Sequence, residues 1–213
     1  MIIYGSSISP FVRKTLAAAA EKGMAVENKV SAPGAPDPEF VACSPFKKIP
    51  AMRDGDFTIC DSSAIIHYME ALQPQPALIP AEAKDRARVV WFEEFADTIV
   101  VGAAGPIFFN RVVAPMFMGK PGDEAAADKA EKEALPPVMD YLEGVVPEPG
   151  GFLVGDGVTL ADIAVASPFV NLRHMNLDLS RWPRTLAYVD SILSRPSFAP
   201  LIETENRIFG RAA

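Results

Sequence analysis

With 213 residues, 49% of them hydrophobic, the chain can bury a sizeable core and is long enough for one large or two small domains. Its 27 acidic and 20 basic side chains give a formal net charge of −7, which argues against nucleic acid or an anionic membrane as the main partner, since both need clustered Lys and Arg. No uninterrupted apolar run reaches the roughly 18 residues of a membrane span. The first residues lack a basic region followed by a long apolar one, so a cytoplasmic protein without a signal peptide is expected.

Met1 to Tyr4 is a short β-branched and apolar run that suits a buried strand. Ser9 and Pro10 then open a helix, with serine at the N-cap and proline at the first helical position. Val12, Leu16, Ala19 and Ala20 form its apolar face, Lys22 lies in its last turn, and Gly23 is a left-handed stop. A strand, a turn and a capped helix place a hydroxyl at the positive end of the helix, where a thiolate or a phosphate is favoured. The simpler reading of Ser9 is a helix cap and nothing more.

Ala25 to Val30 reads as a second strand, Pro33 to Pro38 as a loop, and Glu39 to Cys43 as at most a short helical turn. Asp54-Gly55 predicts a hairpin between Pro50–Arg53 and Phe57–Cys60, and Pro50, opening its strand, is a candidate for a cis bond. Asp61 or Ser62 caps the next helix, whose Ile65, Tyr68, Met69 and Leu72 follow the i, i+3, i+4, i+7 pattern. The order β, α, β, short α, β, β, α is the thioredoxin-like layout. Cys43 and Cys60 lack the spacing of a redox motif and read as reduced small hydrophobes. His67 and His174 are too far apart to suggest a metal site.

Gln73 to Pro80 carries three prolines and reads as a linker, so the division expected is 1–80 and 81–213, the second part all helical. A long helix starts near Glu82 with Phe92, Phe95, Ala96 and Ile99 as its buried stripe and Trp91 beside them; Gly102, Gly105 and Pro106 should kink or end it. Ile107 to Met118 is rich in Phe and Met, which suits either core or an apolar binding wall. Asp123 to Gly144 is a further helix that Pro136-Pro137 must bend. In GDGVTLADI (Gly155 to Ile163), Thr159 caps, Asp162 returns the bond, and the apolar run from Ala161 to Val170 marks a central buried helix. Pro183 to Ser194 is the last substantial helix, with Ala199 to Ala213 a short helix or tail.

Together SPFVRK (Ser9 to Lys14), KKIP (Lys47 to Pro50), CDSSAI (Cys60 to Ile65), the proline-rich linker, GDGVTLADI and RPSF (Arg195 to Phe198) resemble the cytosolic glutathione transferase superfamily, in its serine-type, bacterial-like form. The resemblance implies an α/β thioredoxin-like N-terminal domain, an all-α C-terminal domain, a homodimer, and glutathione as cosubstrate. It also implies roles. Ser9 matches the serine that faces the glutathione sulfur. Lys48 matches a lysine that reaches a glutathione carboxylate, Ile49 before Pro50 a main-chain contact to the cysteinyl part, and Asp61 and Ser62 the pair that holds the γ-glutamyl amine and carboxylate. Asp61 is shorter than the Glu common at that position.

The chemistry implied is activation of a thiol. Lowering a thiol pKa from about 8.5 to about 6.5 takes roughly 2.7 kcal/mol. One hydrogen bond to the charged form contributes about 1.5–3 kcal/mol and a helix N-terminus about 0.3–1, so a serine donor at that cap is sufficient. Ser6 and Ser7 are rival donors. The expected reaction is attack of the thiolate on a small, largely apolar electrophile, with Phe11, Phe108, Phe109, Met116 and Phe117 as candidate pocket residues. Glutathione-dependent isomerisation, ether cleavage, peroxide reduction and a non-enzymatic interaction module are the alternatives.

Overall fold

The computed structural model describes residues 1–30 and 37–211. Most of the loop expected at Pro33 to Pro38, and the last two residues of the C-terminal tail, lie outside them. The chain forms two compact units, Met1–Ile79 together with the segment from Arg195 on, and Pro80–Ser194. A division at residue 80 puts every later residue in the helical part; the C-terminal segment instead groups with the first unit, for reasons that lie in the contacts of the first helix.

In the first unit, β1 (Ile2–Tyr4), β2 (Glu27–Lys29), β3 (Ala51–Asp54) and β4 (Phe57–Cys60) make a four-stranded sheet in the order β2-β1-β3-β4. β1 runs parallel to β2 and antiparallel to β3, and β3 is antiparallel to β4. The hairpin forms as expected, but Asp54 pairs with Phe57, so the two loop residues are Gly55 and Asp56, with Gly55 at φ +62°. Helices α1 (Pro10–Glu21), α2 (Pro38–Cys43) and α3 (Ser62–Leu72) complete the thioredoxin-like unit. α1 and α3 pack on each other, and α2 packs against β3 and β4, enclosing Tyr4, Phe40, Cys43 and Ala51.

Sequence periodicity assigns α1 one buried face, yet every residue from Val12 to Ala19 is buried, Arg13 and Lys14 included, while Ala20 is exposed. Polar partners make this possible. Lys22, at the end of α1, donates to Glu70 at 2.6 Å and to the Pro76 carbonyl at 2.9 Å. On α3 the buried apolar residues are Ile65, Ile66 and Met69, and Leu72 is exposed at the helix end.

The helical unit begins at α4 (Ala83–Glu94), capped by Glu82, which accepts from the Asp85 amide at 2.9 Å. Gly102, Gly105 and Pro106 do not end it. The helical run continues through a π-helical stretch (Phe95–Val100), α5 (Val101–Phe108) and a second π-helical stretch (Phe109–Phe117). Wider turns shift the phase of the residues beyond them, so Val100 is buried where a 3.6-residue period predicts Ile99, and Ile99 and Trp91 are exposed. This run, Ala83–Phe117, contains an 18-residue window of mean hydropathy 1.5 and is long and apolar enough by composition to cross a membrane. Charged residues within it hide that from a count of uninterrupted apolar residues. The run packs against α8 (Leu160–His174), with 39% of that window buried.

α6 (Glu124–Lys129) passes through a π-helical turn (Ala130–Ala134) into α7 (Leu135–Val145). The wide turn accounts for Pro136-Pro137. Leu135 N–H bonds the Ala130 carbonyl, and the two prolines, which lack an N–H, fall in the first turn of the new helix, where proline is tolerated. α8 is buried almost throughout. Its Asp162 accepts from the amides of Thr159 and Leu153, each at 2.8 Å, and from the Tyr188 hydroxyl at 2.7 Å. That carboxylate raises the Tyr188 pKa well above its ordinary value, with burial the larger cause. α9 (Pro183–Leu193) packs on α8, and α10 (Ala199–Ile208) belongs to the first unit.

Candidate active site

Strand register assembles the site. Tyr4 pairs with Ala51, and Ala51 pairs with Cys60. The carboxyl end of β1, the start of β3 and the end of β4 therefore lie side by side, and three connections converge there: Gly5 to Ser9, Lys48 to Pro50, and Asp61-Ser62.

The first connection is pinned by the backbone. Gly5 N–H bonds the Lys29 carbonyl at 2.8 Å, and Asn28 Nδ2 donates to the carbonyls of Ile3 and Gly5 at 3.0 and 2.9 Å. Gly5 sits at φ +134°, and a Cβ there would stand 2.6 Å from Val12 Cγ2 and 2.9 Å from Ile49 Cβ. Only glycine lets this turn pass so close to the Ile49–Pro50 segment. Ser9 is the N-cap residue of α1 by position, but its side chain makes no capping hydrogen bond. Of its rivals, Ser7 is buried, and Ser6 Oγ accepts from the Ile8 amide at 3.4 Å. The buried Tyr4 hydroxyl donates to Glu39 at 3.1 Å, and burial together with that bond pushes its pKa up to about 12, so it is a poor donor to a bound thiolate.

The second connection contains the cis bond Ile49–Pro50. Its support is a residue to which sequence reasoning assigns no role. Buried Ser44 Oγ accepts from the Lys48 amide at 3.0 Å and donates to the Lys48 carbonyl at 2.8 Å. The Lys47 amide bonds the Ser44 carbonyl at 2.9 Å, and Lys47 takes a positive φ of 55°. Ser44-Pro45 in a sequence signals a turn, and serine's habit of bonding nearby backbone is the available clue.

At the third connection Asp61 is the cap of α3, accepting from the Ala64 amide through Oδ1 at 3.0 Å, and its own N–H points back to the Pro50 carbonyl at 3.3 Å. Helix geometry leaves the first-turn amides of Ser62 and Ser63 without intrahelical acceptors. They form, with the helix dipole, a seat for a carboxylate.

Between the second and third connections lies a cavity of about 250 Å³ lined by Phe11, Phe46, Lys48, Ile49, Pro50, Cys60, Asp61 and Ser62. It gathers all five residues expected to hold glutathione and one of the five apolar candidates, Phe11. Ser9 is not among the lining residues; it lies two residues before Phe11. Phe108, Phe109, Met116 and Phe117 belong to the helical unit, where Phe108 is buried and Phe109 and Met116 are about half exposed. Phe46 and Cys60 are lining residues without a sequence signal. Both cysteines are free, and burial pushes the Cys43 thiol up. Among the described residues no group of three or more His, Cys, Asp or Glu could hold a metal.

The arrangement offers an ammonium, a carboxylate and a helix N-terminus around an apolar floor, which suits an elongated zwitterionic peptide. Comparison with known proteins agrees. Family models for the glutathione S-transferase N-terminal and C-terminal domains match residues 3–77 and 108–205. Glutathione S-transferase 4 of Zea mays is 30% identical over 197 residues, covering 87% of this chain and 86% of its own. The chain belongs to the glutathione S-transferase family. It is also 30% identical, over 149 residues, to a probable maleylacetoacetate isomerase 1 of Drosophila melanogaster, covering 68% of this chain and 55% of that one. Among solved structures, glutathione S-transferase I from mais in complex with an atrazine glutathione conjugate aligns with a TM-score of 0.81 at 25% identity, covering 95% of this chain and 96% of that one.

Proposed function

We propose that this chain conjugates glutathione to small, largely apolar electrophiles, and that Ser9 donates a hydrogen bond to the glutathione sulfur. The observation that carries this reading is the convergence of the Ser9 turn, Ile49–Pro50 and Asp61-Ser62 at one end of the sheet, fixed by the pairing of Tyr4 with Ala51 and of Ala51 with Cys60. In it, the γ-glutamyl carboxylate sits on the Ser62 amide and hydroxyl, its amine on Asp61, the cysteinyl backbone on Ile49, and the second carboxylate near Lys48. Asp61 uses Oδ1 for the helix cap, which leaves its other oxygen for the amine.

The Ser9 hydroxyl, not engaged as a side-chain cap, is able to stabilise the thiolate as a donor. The thiolate then attacks the electrophilic carbon. A carbon–sulfur bond forms while the displaced electron pair leaves with the departing group or moves onto the acceptor. Phe11, which lines the cavity, would contact the apolar acceptor. With this reading go a homodimer and a cytoplasmic location.

Steady-state conjugation of an activated aryl halide tests it. Ser9→Ala should lower kcat at neutral pH by about ten- to a hundredfold, in line with the loss of about 1.5–3 kcal/mol for a hydrogen bond to a charged group, with KM for glutathione little changed. An unchanged kcat would remove Ser9 from the mechanism. The similarity to a maleylacetoacetate isomerase favours a second reading, in which the thiolate adds to a conjugated double bond and is expelled after rotation. A product that contains no glutathione would distinguish it.

A further inference from the structure

The C-terminal segment meets α1 at both ends. At the far end Arg195 donates to Glu21 through Nε and Nη2 at 2.7 and 2.8 Å, and Ser197 Oγ adds a third bond at 2.6 Å. At the near end Arg13 donates to Glu205 of α10 through Nε and Nη2 at 2.9 and 2.6 Å, with both side chains fully buried. Arg13 Nη2 also donates to the carbonyl of Ile8 at 3.4 Å, and the Arg13 amide to the carbonyl of Ser9 at 2.9 Å. One guanidinium thus joins the last helix to the peptide that carries Ser9.

A buried ion pair is weak evidence for stability, because well-packed apolar residues often serve as well. What a forked guanidinium adds is direction: its donors are planar and fixed relative to one another. We propose that Arg13 and Glu205 are positioning residues for thiol activation: α10 holds Arg13, Arg13 holds the Ile8 carbonyl, and the Ser9 hydroxyl stays aimed at the sulfur. The proposal rests on the reading of Ser9 as thiol donor. It gives the C-terminal segment a part in the chemistry of the first unit.

Glu205→Gln separates positioning from a simple field effect by sign. Removing a negative charge would, through its field alone, favour a nearby thiolate and lower the thiol pKa. Loss of positioning raises it instead. The thiolate absorbance of bound glutathione, followed against pH, should show the pKa in Glu205→Gln raised by about one unit, a roughly tenfold loss of thiolate below the pKa. KM for glutathione should stay within about twofold, because Lys48, Ile49, Asp61 and Ser62 are untouched. Glu21→Gln, at the far end of α1, should leave the pKa in place. If Glu205→Gln does not fold, Arg13→Lys, which keeps the buried charges balanced but loses the fork, is read the same way. A folded variant with the wild-type pKa or a lower one overturns the proposal. A wild-type protein with an ordinary thiol pKa refutes the Ser9 reading instead.

Discussion

Ser44 shows how one buried hydroxyl can govern a loop that carries binding groups. It satisfies both the amide and the carbonyl of Lys48, and its removal leaves two backbone groups to find other partners. Ser44→Ala should cost about 1–3 kcal/mol, at about 0.5–1.5 per hydrogen bond, read by urea denaturation. It should also raise KM for glutathione several-fold while kcat holds; a loss of kcat at unchanged KM would contradict this. Individual residues are legible in the sequence when position alone fixes them. Ser9 as N-cap residue, Pro50 in a cis bond and Asp61 at the head of α3 follow from local signals. What a side chain does there is less legible: Ser9 stands at the cap and does not cap, and the long-range partner of Arg13 lies 192 residues away.

At the scale of elements, the ends are legible and the insides less so. Helix α1 starts and stops where Ser9-Pro10 and Gly23 say it should, but its burial on all sides depends on Glu205, Glu70 and Arg195, contacts that periodicity does not encode. The same contacts predict an acid sensitivity. Hydrogen bonds from Arg195, with a smaller contribution from Ser197 and against the opposing effect of burial, hold the Glu21 carboxyl below its ordinary 4.5. A group whose folded pKa is depressed contributes stability above its unfolded value and loses it as pH falls through the folded one. Wild-type thermal stability should therefore decline below pH 4.5 more steeply than that of Glu21→Gln, which should be the less stable of the two at neutral pH. Parallel melting curves across that range would contradict the assignment. Gly102, Gly105 and Pro106 do not end the helical run, which continues through π-helical turns on either side of α5.

For the whole molecule, the order of elements, the proline-rich linker and the GDGVTLADI signature are enough to read a thioredoxin-like unit and a helical unit. Asp162 is correctly legible as a buried folding carboxylate because a capping box precedes an apolar run, although its bonds to Leu153 and Tyr188 are not. The return of the C-terminal segment to the first unit is hidden, since charged residues on a terminal helix look like solvent-facing ones until their partners are known. In the proposed function the first unit binds glutathione and ionises its thiol through Ser9. Thiolate absorbance of protein-bound glutathione, titrated against pH in wild type and Ser9→Ala, decides between this role and its absence. A thiol pKa about two units below the free value of about 8.5 in wild type, returning toward that value in Ser9→Ala, is the result predicted. Tight binding with the same pKa in both proteins, or no binding at millimolar glutathione, would contradict it.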